Sequence, residues 1–226
     1  NFLPFNQGVP EEGNVHATSA GNPHNPDGIN TSYMWEDILT KDSVFDLIYD
    51  FIFIAKRRSK TGKKVGETAI FPRFQQLRAV RRVSEDVKEK ATSRNYLIEH
   101  SAGSGKTNTI SWLAHKLSSL YQPGSLDPLF DKVIVITDRR VVDKQLQDAI
   151  TDMAKDTGIV RVMDKGKTSA DLGKALGVGK GKTSSYRIVV STIQKFLNLP
   201  QGCFEDAGKR FAVLIDEAHG STSGKS

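Results

Sequence analysis

Residues 95–120, NYLIEHSAGSGKTNTISWLAHKLSSL, constrain the chain more tightly than any other stretch. The short apolar run Tyr96-Leu97-Ile98 has the length and residue type of a buried parallel strand. Gly103-Ser104-Gly105-Lys106-Thr107 follows it. Ile110, Leu113, Leu117 and Leu120 then recur on one helical face, which Gln122-Pro123-Gly124 should end. Strand, glycine turn, lysine with hydroxyl, and helix is the order an anion-binding loop requires. The glycines let successive backbone N–H groups converge on phosphate, and the helix N-terminus adds the positive end of its dipole. Lys106 is expected to reach the β- and γ-phosphates of a nucleotide, and the Thr107 hydroxyl to hold Mg²⁺. The strict motif has glycine five residues before Gly105, where this chain has His100. The cradle from Gly103 to Thr107 is nevertheless intact. A second Gly-Lys-Thr ends at Thr183; it has no strand before it and no helix after it, and reads as a basic loop.

A chain of 226 residues can form one large domain with an appendage. Its 38% hydrophobic and 26% charged residues are those of a soluble globular protein. No apolar run has the length of a membrane span and no secretory signal pattern opens the chain, so a cytoplasmic location without a membrane partner is expected. The single cysteine, Cys203, excludes an internal disulfide framework. The net charge of +6 is local: Lys56-Arg57-Arg58-Ser59-Lys60-Thr61-Gly62-Lys63-Lys64 holds six of the 32 basic residues and none of the 26 acidic ones. Such a run is either a solvated hairpin tip or a contact for a nucleic-acid backbone.

Residues 1–32, rich in Asn, Gly and Pro, read as a linker or the end of an upstream domain, with His16 and His24 facing solvent. Residues 33–72 read as a helical pair and the basic hairpin. Thr31-Ser32 is expected to cap a helix carrying Trp35, Ile38 and Leu39. A second helix, with Ser43 and Asp46 in capping-box spacing, carries Val44, Phe45, Ile48 and Phe51 toward a core. From residue 73 onward a helix with Leu77, Val80 and Val83 inward precedes the phosphate loop. Beyond the loop, apolar strands at 133–136, 159–163, 188–190 and 211–215 alternate with helices at the spacing of a parallel sheet covered on both faces. Ligands of such sheets bind at the carboxyl ends of the strands. Thr137-Asp138, Ser191-Thr192 and Asp216-Glu217 all lie just past a strand, on the edge that would hold the phosphate loop.

Asp216-Glu217-Ala218-His219 follows the strand Phe211-Ala212-Val213-Leu214-Ile215. A hydrophobic strand ending in two acids delivers carboxylates to the phosphates. Asp216 is expected to hold Mg²⁺ directly or through water, and Glu217 to orient or deprotonate the water that attacks the γ-phosphate. His219 either senses the γ-phosphate state or serves packing.

The two motifs together resemble superfamily 2 helicases and translocases. LPFNQG with GNPHNPDG, TSYMWEDIL, FPRFQQLRAV, IEHSAGSGKT, VIVITDRRVVDKQLQD, VVSTIQKF and VLIDEAH further resemble, in order, successive blocks of the motor (R) subunit of type I restriction endonucleases. That resemblance implies an α/β RecA-like ATPase domain over residues 73–226, with residues 1–32 bordering an upstream nuclease domain. It implies ATP and Mg²⁺ as cofactors, Gln76 (a better match than Gln75) reading adenine, and His219 coupling to the γ-phosphate. Thr137, Asp138, Arg139, Thr192 and Gln194 would meet the DNA backbone, where hydroxyls, an amide and an arginine suit sequence-independent contacts. The implied partners are double-stranded DNA and the methyltransferase and specificity subunits of a restriction-modification complex. ATP hydrolysis would drive translocation along DNA before cleavage, with a second RecA-like domain and its arginine finger lying outside this chain. Thr222 stands where the family often has glutamine. Two other readings stay open: a superfamily 2 helicase or remodelling ATPase unrelated to restriction, and a DNA- or subunit-docking module with an idle nucleotide site.

Overall fold

A computed structural model describes residues 5–10, 17–19, 21–59, 61, 64–90, 94–101, 103–122, 124–137, 144–156, 158–178, 183–204 and 208–217. The chain forms two compact units, residues 1–81 and 82–226, which divide within one helix.

The first unit contains a two-residue strand β1 (Val9–Pro10) paired antiparallel with β2 (Ala17–Ser19). A turn built on Asn25 follows: its Oδ1 accepts from the Asp27 N–H at 3.1 Å, and its Nδ2 donates to Ser32 Oγ at 3.1 Å. The stretch expected to be an aperiodic linker is thus ordered locally by asparagine chemistry. A π-helical turn (Met34–Ile38), α1 (Lys41–Asp46) and a second π-helical turn (Leu47–Phe51) come next. They correct two expectations. Trp35, Leu39, Phe45 and Ile48 are exposed, and only Ile38, Leu47 and Phe51 of this segment are buried. For Trp35, Leu39 and Ile48 the reason lies in the bonds Leu39 N–H to Met34 O and Ile52 N–H to Leu47 O, which are i→i+5 and rotate the side chains away from a 3.6-residue repeat. The capping box at Ser43 and Asp46 does not form either. The N-cap is Thr40, without a side-chain bond, while Ser43 and Asp46 both hold Arg81. Its Nε lies 3.0 Å from Asp46 Oδ2, and its Nη2 donates to Ser43 Oγ at 2.8 Å.

The ribbon β3 (Phe53–Arg58) and β4 (Lys64–Ile70) is antiparallel. It leads to α2 (Phe74–Lys90), which buries Phe74, Leu77, Val80 and Val87 and leaves Val83 half-buried. Phe74 anchors the unit's aromatic cluster, edge to face with Phe5 and Tyr33 at centroid distances of 5.5 Å.

In the second unit, α3 (Lys106–Ser118) precedes the buried strand β5 (Lys132–Thr137) and α4 (Lys144–Met153). The strand β6 (Val160–Val162) and α5 (Ser169–Leu176) follow, and then β7 (Ile188–Thr192), α6 (Ile193–Leu197) and β8 (Phe211–Asp216). Thr168 and Asp171 close a reciprocal capping box on α5, and Gly177 ends it in the left-handed conformation at φ 65°. The four strands are parallel in the order β6-β7-β5-β8. Ile134, Ile136 and Val189 pack with Leu172, Ala175 and Leu176 of α5. Helix α3 lies against β5, β7 and β8, and α4 lies against α3 and β6. Helices therefore cover both faces, the α/β architecture that the strand spacing predicts.

The strand expected at Tyr96-Leu97-Ile98 is not formed. Residues 94–101 have no regular structure, and Leu97 is 79% exposed. A three-residue strand exists only on a ladder, and no described strand pairs with this one. The Tyr96 hydroxyl instead donates to Asp86 Oδ2 at 2.7 Å.

Helices α3 and α4 are tied by His115, whose Nε2 lies 2.7 Å from the Ile150 carbonyl. That carbonyl is in the last turn of α4, where intrahelical donors run out. Burial pushes the His115 pKa down, against the carbonyl bond, so the ring stays neutral and donates Nε2–H. The unfolded chain takes up this proton below about pH 6.5 and the folded chain only at lower pH, so stability is lost as pH falls through that window. Replacing His115 by Leu is expected to cost about 1–2 kcal/mol in urea unfolding at neutral pH, because the carbonyl loses its donor. His115→Gln should keep most of that stability while flattening the loss between about pH 7 and 5.5 relative to wild type.

Candidate active site

The phosphate-loop segment folds around two left-handed glycines. Gly103 has φ 74° and Gly105, the N-cap of α3, has φ 90°. Nothing lies within 4 Å of a Cβ built on Gly103, so the demand there is for backbone conformation and not for space. Ser104 is buried between them. The first N–H groups of α3 lack intrahelical acceptors, an arrangement that suits an anion.

His100, the departure from the strict motif, takes a part that the sequence does not announce. Its Nδ1 lies 3.2 Å from Ser104 Oγ, joining the start of the loop to its middle. Burial, and then the positive charge of Lys106, hold its pKa below the ordinary histidine value. The ring is therefore neutral at pH 7, which spares the Lys106 ammonium a second positive charge beside it.

Across the sheet, parallel register does the positioning. Thr137 is the ladder partner of Thr192 on one side and of Asp216 on the other. Three polar residues thus stand in one row at the carboxyl ends of β7, β5 and β8. Thr137 and Thr192 are 1% and 2% exposed, so both lie beneath the surface of this edge. Gln194, in the first turn of α6, is half-buried. Asp138, Arg139 and His219 lie outside the described residues. Gln76 belongs to the first unit, where its Oε1 accepts from the Arg73 N–H at 2.8 Å and the residue is buried.

The decisive contact is Lys106 Nζ to Glu217 Oε1 at 2.9 Å, spanning 111 positions of sequence. Both side chains are 36% exposed, so water screens the pair and its net worth is about 0–1 kcal/mol. Its importance is positional, because it joins the phosphate loop to the acidic end of β8. Glu217 makes the contact from φ 58°, the sole non-glycine residue with positive φ among those described. For a residue with a Cβ this conformation costs about 1–2 kcal/mol, a strain of the kind that collects at functional sites. Glutamate is not a turn former, so no local signal predicts it. Asp216, one residue earlier, has a buried Oδ1.

The donors suit Mg²⁺. Thr107 offers a hydroxyl and Asp216 a carboxylate, both hard oxygen ligands. Among the described residues no group of three or more His, Cys, Asp and Glu could hold a metal by itself. Two protein oxygens completed by nucleotide phosphates and water is the usual way this ion is held. Among the described residues no helix is long and apolar enough to cross a membrane.

The family model for the SWI2/SNF2 ATPase matches residues 75–226. A protein of Methanocaldococcus jannaschii, described as the type I restriction enzyme MjaVIIIP endonuclease subunit, is 34% identical over 118 residues. The match covers 50% of this chain and 11% of that protein, so the chain spans a small part of its relative's length. No solved structure gives a significant match.

Gly105→Ala should destabilise the chain by about 1–2 kcal/mol, read as a lower urea midpoint, because a side chain is forced to positive φ. Gly103→Ala should cost a similar amount from conformation alone.

Proposed function

Since the chain belongs to the SWI2/SNF2 ATPase family, we propose that it is the nucleotide-binding motor lobe of a type I restriction endonuclease R subunit. The observation that carries this reading is the Lys106–Glu217 contact at 2.9 Å, which unites the two halves of a nucleotide site. The matched relative, itself described as a type I restriction enzyme subunit, supports the choice of system.

In this reading the backbone from Gly103 to Thr107 cradles the phosphates of ATP, and Lys106 reaches the β- and γ-phosphates. Thr107 and Asp216 hold Mg²⁺, whose chemistry is to neutralise charge developing on the phosphate oxygens. Glu217 orients the attacking water and accepts its proton. The resting ion pair makes lysine and glutamate mutual partners until nucleotide arrives. Lys106 then turns to phosphate and Glu217 is released to the water. Gln76 reads the adenine, and His219 couples the γ-phosphate to the rest of the lobe. Arg139, Asp138, Thr137, Thr192 and Gln194 form the DNA-facing edge. The full assembly hydrolyses ATP to translocate double-stranded DNA before cleavage. It does so in the cytoplasm, with methyltransferase and specificity subunits as partners.

The SWI2/SNF2 match over residues 75–226 also favours a second reading, a remodelling ATPase outside any restriction system. Nuclease activity in the full-length protein would separate the two.

Isothermal titration with Mg-ATP tests the site. Lys106→Ala should abolish binding; unchanged affinity would remove the phosphate-loop assignment. Glu217→Gln should bind nucleotide equally or up to about fivefold more tightly, since it frees Lys106 from a pair worth about 0–1 kcal/mol. The same change should lower hydrolysis by about 10²–10⁴-fold in the full-length enzyme. Weakened binding in Glu217→Gln would show that the glutamate supports the ligand and does not compete with it.

A further inference from the structure

One helical stretch of the first unit is apolar on two faces. Helix α1 runs directly into the second π-helical turn, and Leu47 and Phe51 of this stretch are buried. Phe45, Ile48 and Tyr49 are 62%, 60% and 69% exposed, and Ile52, just beyond, is exposed as well. These four stand at i, i+3, i+4 and i+7, the spacing of a continuous helical stripe. A helix with apolar residues on opposite sides is one that is covered on both, and this one is covered on one. Trp35 and Leu39 of the first π-helical turn, which lies against α1, are exposed too. Single exposed apolar side chains need no explanation. A stripe of them rich in aromatic residues and bordered by charge has the composition of a protein contact.

The backbone gives a second indication. Residues 34–51 hold two π-helical turns, a geometry that is rare and collects at functional positions. The border of the stripe gives a third, because it is acidic. From Tyr33 to Ile52 the chain has five acids, Glu36, Asp37, Asp42, Asp46 and Asp50, against the single base Lys41. Asp42, Asp46 and Asp50 recur every fourth position and so form a row along the same helix. Arg81 holds Asp46 at 3.0 Å, while Asp42 is exposed. This charge selects among coverings. It repels nucleic acid and anionic lipid, and a second copy of the same face would set acids against acids. Apolar surface that carries positive charge is what complements it.

We propose that the stripe of Phe45, Ile48, Tyr49 and Ile52 docks a basic amphipathic helix of another polypeptide. The apolar face of that helix packs along the stripe, and its lysines or arginines stand against Asp42 and the acids beside it. A stripe one helix wide is a ridge, and the ridges and grooves of a second helix are the surface that covers it. The face lies within the first unit and is independent of the nucleotide reading.

The test uses the 226-residue chain and a fluorescein-labelled helical peptide of about 18 residues, leucine on one face and lysine on the other, read by anisotropy. Wild type should bind it, more weakly as salt rises from about 50 to 200 mM. Phe45→Gln/Ile48→Gln should weaken binding at least about tenfold. Its thermal midpoint should stay within about 2 °C of wild type or rise, because the replaced side chains are exposed and glutamine is a good helix former. Asp42→Asn should weaken binding about two- to fivefold and flatten the salt dependence. A companion peptide with glutamate in place of lysine should bind wild type at least about tenfold more weakly than the lysine peptide. Equal affinity for the two peptides overturns the proposal, since the charge border would then select nothing. Unchanged affinity in the double variant overturns it too, as does no binding of wild type at about 100 μM peptide. Sedimentation of the chain without peptide tests the rival occupant: a dimer that the double variant dissociates overturns the proposal and assigns the stripe to a second copy.

Discussion

Parallel register between β7, β5 and β8 is the constraint from which the site follows. Parallel strands direct all their carboxyl ends to one edge, and one-to-one pairing places Thr192, Thr137 and Asp216 in a single row. Because Asp216 closes the ladder, the next residue leaves the strand at that edge, and Glu217 meets the lysine of the phosphate loop. A shift of one residue in β8 would exchange its two faces and carry the acids away from Lys106. The register is held by burial. All six residues of β5 and all five of β7 are buried, so packing on both faces fixes each of their side chains in place.

The amino ends of the same strands show a complementary arrangement. The Lys132 ammonium donates to the carbonyls of Ser184, at 2.6 Å, and of Tyr186. The Arg187 guanidinium donates to Ser118 O at 2.6 Å, at the end of α3, and Arg210 donates to Pro128 O at 2.7 Å. These cations satisfy backbone carbonyls where loops meet the sheet. They belong to the frame and not to the site.

What the sequence makes legible divides along physical lines. Long apolar strands and the glycine-lysine-threonine segment announce themselves, because burial and phosphate binding each need particular residues at particular spacing. The acidic pair after β8 is legible for the same reason. Tyr96-Leu97-Ile98 misleads, because apolar composition reports a tendency to pair and a strand needs a partner. Ser43 and Asp46 mislead because their spacing fits a capping box equally well whether or not Arg81, 35 positions beyond Asp46, claims them. Trp35 and Ile48 mislead because helical periodicity assumes 3.6 residues per turn, and the π-helical turns that hold them break that count. The Ser104–His100 bond and the left-handed Glu217 follow no pattern of residue types along the chain.

The twist at Glu217 has a mechanical consequence. A side chain with a Cβ is held at φ 58° in a chain whose other described positive-φ residues are glycines, and its carboxylate pairs with the Lys106 ammonium. Such a residue resembles a drawn spring, and that ion pair is one of its catches. Anything that draws the lysine away removes an ion pair from a residue whose backbone is already strained.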